Sequence, residues 1–257
     1  MALPPEWASG AVTVVLPTYN EADNLPVIVG TLLALPLTNL RVLVVDDNSP
    51  DGTGDLAEKL AIEYAKDGST PISVLHRAGK EGLGRAYVAG MLRALEDGAE
   101  YVVQMDADLS HDPRHIPEML GTLRSTRAGV VIGSRYTASG SLDASWGVHR
   151  KLLSAWANLY VHVILGLRVR DVTAGYKLWD ADALRGLDLA GIRSNGYSFQ
   201  VEMNYRAHLR GNRIMEVPIH FTERQHGTSK MSFATQLESA LMPLRLRLQQ
   251  RGTAPRN

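Results

Sequence analysis

The sequence predicts an α/β fold with a mostly parallel sheet flanked by helices. Short runs of β-branched and other apolar residues alternate with stretches of helical periodicity, which is the pattern of successive βαβ units. Acidic residues follow directly after three of these runs. Because ligands in open parallel sheets bind beyond the carboxyl ends of the strands, this placement also predicts where the functional site lies.

Five strands are predicted in the first half of the chain. The first begins at Ala11, is apolar without alternation, as expected of a strand buried on both faces, and ends at Pro17. The glycine-rich stretch that begins at Gly79 is predicted to be a turn that lets the next helix pack closely. The other predicted strands are Leu40–Val45, Ile72–Leu75, Tyr101–Met105 and Val130–Ile132.

The second half of the chain is predicted to contain longer apolar helices. From Leu152 to Leu167 the only polar residues are Ser154, Asn158 and His162, which are four apart and predict a helix with one narrow polar stripe. The later predicted elements are strands at Ala174–Trp179 and Arg213–Phe221, a helix at Gly196–Leu209, and a C-terminal helix with a kink at Pro243.

The composition excludes several classes of protein. The chain has 257 residues and no cysteine, so disulfides, thiolate metal sites and a cysteine nucleophile are excluded. Its start has no basic region followed by an apolar one, so no signal peptide is predicted and the expected compartment is the cytoplasm. The net charge is zero, but the first half is acidic and the second half is basic. This asymmetry indicates either an anionic partner for the second half or simple compensation within one globule.

The most informative stretch is Met105-Asp106-Ala107-Asp108, at the end of the fourth predicted strand. If the strand continues through it, Asp106 and Asp108 project from the same face. Two adjacent carboxylates repel each other unless a cation lies between them, and Mg²⁺ commonly takes one or two carboxylates plus substrate phosphates. The stretch is therefore interpreted as a metal-bridged diphosphate site. The alternative is that Asp108 or Ser110 caps the helix predicted at Pro113–Arg127.

Carboxylates at three strand ends suit a nucleotide better than a bare anion. Ribose hydroxyls and a base edge can donate hydrogen bonds to carboxylates, and a metal ion can be coordinated by them. The three ends carry Glu21, the pair Asp46 and Asp47, and the pair Asp106 and Asp108. The Gly-x-Gly-x-x-Gly pattern of dinucleotide-binding folds is absent after the first strand, which disfavours an NAD enzyme, and no P-loop spacing is present.

Two segments of the second half carry basic residues that could contact anionic partners: an apolar helix with basic ends and a polar loop. The apolar segment Leu152–Leu167 is shorter than the roughly 20 residues of a spanning helix and has basic residues at both ends, which predicts a helix lying in a membrane interface. A core or dimer helix is the alternative. The polar loop from Thr222 carries Arg224 and Lys230 on either side of a glycine, and it either closes over a diphosphate or is an ordinary solvated loop.

Five motifs together resemble a known family. They are Val-Val-Leu-Pro17-Thr-Tyr-Asn-Glu21, Val45-Asp-Asp-Asn-Ser-Pro-Asp-Gly-Thr53, Met-Asp106-Ala-Asp108-Leu-Ser-His111, Gly-Ser-Arg135-Tyr136 and Gly-Tyr-Ser-Phe-Gln-Val-Glu202. This combination is similar to the dolichyl- and polyprenyl-phosphate mannose synthases, which are inverting family-2 glycosyltransferases of the GT-A fold. The resemblance implies a single domain over residues 1–257, with a Rossmann-like nucleotide-sugar half at 11–133 and an acceptor- and membrane-facing half at 134–251.

The resemblance also implies roles for individual residues. A GDP-mannose donor site and a Mg²⁺ or Mn²⁺ ion held by Asp106 and Asp108 are expected. Arg135, Arg150 and Ser154 are expected to contact the acceptor phosphate, and Arg135 is grouped with the two aspartates as catalytic. The expected donor-binding residues are Pro17, Tyr19, Glu21, Val45, Asp47, Asp106, Ala107, Asp108, Arg224 and Lys230. The stretch Ala174-Gly-Tyr-Lys-Leu-Trp departs from the Thr-Gly-Ser-Phe-Arg-Leu-Tyr pattern of relatives.

The implied reaction is inverting transfer of mannose from GDP-mannose to a polyprenyl monophosphate at the cytoplasmic side of the cell membrane. Membrane contact is expected to be peripheral or supplied by a partner protein, because the sequence shows no spanning segment after the catalytic region. Alternatives are the same chemistry with UDP-glucose or another donor, and a non-catalytic nucleotide-sugar-binding membrane subunit. A nucleic-acid binder is disfavoured, because aromatic residues are absent from the basic runs.

Overall fold

The computed structural model describes residues 3–142, 148–192, 194–221 and 241–248, with the backbone alone at residues 142 and 148–153. Strands are numbered in chain order. They are β1 (Val12–Thr18), β2 (Leu40–Asp46), β3 (Ile72–His76), β4 (Tyr101–Gln104), β5 (Val130–Ser134), β6 (Ser141–Leu142), β7 (Lys177–Asp180), β8 (Ile214–Pro218) and β9 (His220–Phe221).

Seven of these strands form one sheet in the order β3-β2-β1-β4-β7-β5-β8, while β6 and β9 form a small parallel pair. Every pairing in the large sheet is parallel except those made by β7, which runs antiparallel to both β4 and β5. The predicted mostly parallel sheet is therefore confirmed. The second half of the chain supplies β7 and β8, so both halves build the same sheet.

Helices cover both faces of the sheet, as expected for strands that are apolar without alternation. Val15 and Leu43 belong to one hydrophobic cluster, and Val14 and Val42 belong to the other, because successive side chains point to opposite faces. The helices are α1 (Pro5–Ala8), α2 (Leu25–Leu33), α3 (Thr53–Glu63), α4 (Leu83–Glu96), α5 (Ile116–Thr126), α6 (Val148–Leu165), α7 (Ala181–Arg185), α8 (Gly196–Leu209) and α9 (residues 241–248).

The glycine-rich turn before α4 positions that helix closely, as predicted. Gly82 has a φ of +104°, which L side chains rarely adopt, and α4 begins at the next residue. At Gly84 an added Cβ would meet the backbone oxygen of Ser194 at 2.5 Å. The close approach brings the start of α4 against the segment that leads into α8.

Helix α6 has a buried side and an exposed apolar side. Val161 and Leu165 are buried in the core, whereas Trp156, Leu159 and Val163 are 56%, 60% and 69% exposed. The core-helix alternative therefore accounts for one side of α6 only. Across the described ranges, no helix has the length and apolarity needed to cross a membrane.

Candidate functional site

The carboxyl ends of β1, β2 and β4 lie side by side, because β1 pairs in parallel with both neighbours. The acidic clusters that follow these strands therefore meet at one edge of the sheet, as the sequence predicts. Pro17 and Val45 face each other in register at this edge, and Ala107 is buried. We call this edge the acidic edge and define it by Glu21, Asp46, Asp47, Asp106 and Asp108.

The two aspartates of the motif lie in the turn after β4. The strand ends at Gln104, so the prediction that it continues through the two aspartates is wrong, and strand alternation does not set the orientation of Asp106 and Asp108. Hydrogen bonds orient them instead. Oδ1 of Asp106 accepts from the Tyr87 hydroxyl at 2.5 Å, and Oδ1 of Asp108 accepts from the Ser110 hydroxyl and amide at 2.6 and 3.1 Å.

The helix-cap alternative for this stretch is also wrong. Asp112, rather than Asp108 or Ser110, accepts from the backbone amide of Arg114 and caps the short helical turn that begins at Pro113. The local turn needs one carboxylate, and Asp112 supplies it. Asp106 and Asp108 are therefore not explained by the start of this helix.

The side chains of Asp106 and Asp108 are suitable ligands for a hard divalent cation. Both side chains are carboxylates, and Mg²⁺ or Mn²⁺ prefers oxygen ligands. Within the described residues, no group of three or more His, Cys, Asp and Glu side chains could hold a metal ion. A pair of carboxylates matches a cation that completes its shell with water and substrate phosphates, which is the usual arrangement for Mg²⁺.

Two aromatic side chains support the aspartate turn. The Nδ1 atom of His111 accepts from the backbone amide of Asp106 at 3.2 Å, and the ring stacks on Tyr176 with centroids 5.0 Å apart. Burial lowers the pKa of His111, so the ring is neutral and carries its proton on Nε2. Burial and the nearby Asp106 carboxylate raise the pKa of Tyr87, which keeps its hydroxyl protonated as a donor.

The turn after β1 is tied to the turn after β2. Oε2 of Glu21 accepts from Nδ2 of Asn24 at 2.7 Å, and the Glu21 amide donates to the Thr53 hydroxyl at 3.0 Å. Tyr19 is 37% exposed, and Nζ of Lys80 lies 3.9 Å from its ring centroid. An aromatic ring and a cation thus border the acidic edge.

The two carboxylates at the end of β2 have different partners. Asp46 is bound by neighbouring hydroxyls, and Asp47 is bound by an arginine. Asp46 is buried and accepts from the hydroxyls of Thr18 and Ser49 at 3.0 and 2.6 Å. Asp47 forms an ion pair with Arg77, whose Nη2 also donates to Glu81 at 2.8 Å. Burial raises the pKa of Asp47, although the Arg77 cation lowers it in part.

Arg135 is held in a buried ion pair. Its Nε and Nη2 donate to the two oxygens of Asp171 at 2.8 and 2.6 Å, and Nη2 also donates to the Thr173 hydroxyl at 2.9 Å. The Asp171 side chain is fully buried and that of Arg135 is 8% exposed. The orientation of this guanidinium is therefore fixed by the protein.

The polar stripe of α6 faces the Arg135 region. The Ser154 hydroxyl accepts from the hydroxyl of Tyr136 at 2.7 Å, and Oδ1 of Asn158 accepts from the amide of Val172 at 3.0 Å. Arg150 lies in the first turn of α6, with its side chain outside the described part of the chain. Arg224 and Lys230, which were expected to bind the donor, lie wholly outside the described residues.

Comparison with known families decides the assignment. The model of glycosyl transferase family 2 matches residues 13–186, which include every residue of the acidic edge. The chain belongs to glycosyl transferase family 2.

Two curated relatives of this glycosyltransferase are similar over most of their length. The undecaprenyl-phosphate mannosyltransferase of Micrococcus luteus is 48% identical over 222 residues, covering 86% of this chain and 87% of the relative. The polyprenol monophosphomannose synthase of Mycolicibacterium smegmatis is 44% identical over 220 residues, covering 85% and 80%.

Solved structures of low sequence identity share the fold. The UDP complex of glucosyl-3-phosphoglycerate synthase from Mycobacterium tuberculosis aligns with a TM-score of 0.64 at 17% identity, covering 95% of this chain and 81% of the other. The same enzyme with Mn²⁺, UDP and glucosyl-3-phosphoglycerate aligns with a TM-score of 0.62 at 17% identity, covering 97% and 82%. The expected GT-A fold is confirmed.

Several residues at the site of this family-2 glycosyltransferase were not predicted as site residues. Each contacts a predicted site residue, and all but His111 come from outside the five motifs. His111 lies within the aspartate motif and could have been found from it, whereas no local pattern indicates the others. The residues are Arg77, Lys80, Tyr87, His111 and Asp171.

A buried lysine of β7 makes the stability of this glycosyltransferase depend on pH. Lys177 is fully buried, and burial lowers its pKa from 10.5 to about 7. Between these values the unfolded chain binds a proton that the folded chain lacks, so stability rises with pH across this window. We expect urea unfolding of Lys177→Met to show a flatter rise between pH 7.5 and 9.5 than the wild type. Equal slopes would contradict the lowered pKa.

Proposed function

We propose that the chain transfers mannose from GDP-mannose to a polyprenyl monophosphate with inversion at the anomeric carbon. The observation that carries this proposal is the Asp106-Ala107-Asp108 turn, placed beside two other acidic strand ends. The names of the two curated relatives support mannose as the transferred sugar and a polyprenyl phosphate as the acceptor.

The acidic edge is suited to a sugar nucleotide. Asp106 and Asp108 would hold a divalent cation, as the Mn²⁺ and UDP complex of a fold neighbour suggests. Bound there, the cation supplies positive charge for the diphosphate that leaves as the glycosidic bond breaks, and such charge stabilises the transition state more than the ground state. Pro17, Tyr19 and Glu21 would line the donor site, together with Val45, Asp47 and Ala107.

The acceptor needs orientation more than deprotonation. The second pKa of a phosphate monoester is about 6, so its oxygen is already anionic near neutral pH. Arg135, Arg150 and Ser154 would position this oxygen in line with the anomeric carbon, and Arg224 and Lys230 would close over the donor diphosphate. Asp171 holds the Arg135 guanidinium in a fixed plane, which lowers the entropy lost when a phosphate binds.

The exposed apolar side of α6 is suited to a lipid substrate. It carries Trp156, Leu159 and Val163, and α9 presents the exposed Leu248 with Arg245 and Arg247 beside it. We propose that these helices lie in the cytoplasmic surface of the membrane, so that the acceptor phosphate reaches Arg135 while its chain stays among lipids.

Membrane attachment can be tested by placing charge on α6. Since Leu159 and Val163 are exposed, the double variant Leu159→Glu, Val163→Glu should remain folded. We expect vesicle cosedimentation to show binding weaker by at least roughly tenfold, because two apolar side chains no longer enter the interface. Ile62→Glu, at a 77% exposed position on α3, is the matched control and should bind normally. Unchanged binding of the double variant would contradict the interfacial helix.

The reaction itself is tested with radiolabelled donors. Purified protein should convert GDP-mannose and polyprenyl phosphate into a base-stable, chloroform-soluble mannolipid, with chain lengths compared in parallel. Transfer from UDP-glucose instead would replace the donor assignment. Binding of GDP-mannose without turnover for any polyprenyl phosphate would favour a non-catalytic subunit.

A further inference from the structure

The two side chains that hold Arg135 lie on either side of Val172, in the segment before β7. Asp171 accepts two hydrogen bonds from the guanidinium, and the Thr173 hydroxyl accepts a third. Val172 and Thr173 lie in a turn rather than in a strand. Because a turn of this kind is not paired within a sheet, its buried backbone groups need hydrogen-bond partners from other parts of the chain.

Two asparagines from different helices bind the backbone of Val172. Oδ1 of Asn158, on α6, accepts from the Val172 amide, and Nδ2 of Asn204, on α8, donates to the Val172 carbonyl, both at 3.0 Å. An amide N–H only donates and a carbonyl only accepts, so these bonds set the orientation of both asparagine side chains. The first bond fixes the peptide unit that joins Val172 to Asp171, and the second fixes the unit that joins it to Thr173.

A third side chain binds the backbone just before this turn. The carboxylate of Glu216, on β8, accepts from the amides of Arg170 and Asp171 at 2.9 and 3.0 Å. Three consecutive backbone amides, from Arg170 to Val172, therefore donate to side chains of other elements. The segment that carries Asp171 is held from α6, α8 and β8 together.

Neither asparagine belongs to a fully satisfied polar network. Asn158 is 8% exposed and Asn204 is fully buried. Nδ2 of Asn158 and Oδ1 of Asn204 have no hydrogen-bond partner among the described residues. Burying an unpaired amide atom costs stability, and an apolar side chain of similar shape would avoid that cost. The bonds to Val172 are what distinguish these asparagines from such an apolar residue.

We propose that Asn158 and Asn204 are positioning residues for Arg135. By fixing the peptide units around Val172, they place the two partners that set the plane of the guanidinium. A group that acts on a substrate must be held to within about 0.5 Å, and a supporting layer of hydrogen bonds provides this precision. The inference rests on the proposed function in taking Arg135 as a contact of the acceptor phosphate. It also links α6, the helix proposed to lie in the membrane surface, to that contact.

The first test compares acceptor kinetics with nucleotide binding. Asn158→Leu and Asn204→Leu keep the approximate size of the side chain and remove the bond to Val172. We expect each to lower kcat/KM for polyprenyl phosphate by at least roughly tenfold, because small displacements of a binding group have effects of this size or larger. Calorimetry with saturating Mn²⁺ should show unchanged affinity for GDP. Leu165→Ala, which leaves a cavity in the apolar core beside the same helix, is the matched control for lost stability and should keep both values.

The second test does not depend on the reaction. Urea unfolding of Asn158→Leu is compared in the wild-type background and in the variant Arg135→Met, Asp171→Asn, which lacks the ion pair. We expect Asn158→Leu to lower the free energy of unfolding by less in the second background, because no ion pair is left to position. Leu165→Ala should lower it equally in both backgrounds.

Each outcome decides whether these asparagines act through Arg135. An equal fall in kcat/KM for Asn158→Leu and Leu165→Ala would show that lost stability alone is responsible, which overturns the inference. Unchanged acceptor kinetics in Asn158→Leu or Asn204→Leu, or equal stability losses of Asn158→Leu in the two backgrounds, also overturns it. If the wild type transfers to no polyprenyl phosphate, the proposed function fails, and the unfolding comparison alone then decides whether Asn158 positions Arg135.

Discussion

Transfer activity should fall by at least roughly 100-fold in Asp108→Asn, the size of effect expected when a group that stabilises transition-state charge is removed. The substitution removes a carboxylate charge while keeping an oxygen that can accept from Ser110, so the turn should keep its shape. The measurement is turnover of radiolabelled GDP-mannose at saturating Mg²⁺ or Mn²⁺, with folding checked by circular dichroism.

Asp112→Asn is the matched control for this variant. Asp112 lies four residues further along the same turn, caps the helix that follows, and pairs with the exposed Arg114. Its replacement should leave activity close to that of the wild type. Wild-type protein in EDTA should match the inactivity of Asp108→Asn and recover on addition of metal. Full activity in EDTA would remove the metal from the mechanism.

Asp171→Asn should lower the free energy of unfolding by about 3–5 kcal/mol, the cost of leaving one member of a buried ion pair without its partner. The substitution keeps the shape of the side chain but leaves the Arg135 guanidinium without a carboxylate in a buried environment. Urea unfolding followed by tryptophan fluorescence measures the change.

Two further variants separate the ion pair from other effects of the substitution. Adding Arg135→Met to Asp171→Asn removes the stranded charge, so the double variant should be more stable than Asp171→Asn alone. Arg93→Gln, which breaks an exposed pair with Asp97 on α4, should change stability little. A loss of less than about 1 kcal/mol in Asp171→Asn would show that solvent screens the Arg135 charge.

The sequence predicts the parallel strands and the acidic edge because both depend on local patterns. The apolar runs at Ala11 and Leu40 are long enough to define buried strands, and an acidic residue after such a run lies at the sheet edge whatever the distant residues do. The direction of β7 was not predicted, because its four residues carry no signal of their partners and only the surrounding strands determine the pairing.

The supporting residues of the site were missed for a related reason. Tyr87 contacts Asp106 from α4, Arg77 reaches Asp47 from the end of β3, and Asp171 meets Arg135 from the segment before β7. Each of these pairs joins residues 19 to 36 positions apart in the chain. Periodicity and motif spacing describe near neighbours only, so pairings of this kind require the three-dimensional structure.

The insertion of β7 between β4 and β5 constrains how the chain folds during synthesis. The strands of the first half cannot close into the final sheet on their own, because β4 and β5 are joined only through a strand that ends at Asp180. Until the ribosome has released that segment, the inner edges of both strands present unpaired backbone groups that favour association with other chains. The first and second halves of the chain are therefore not separable modules, and exchanging halves between relatives would cut through the centre of the sheet.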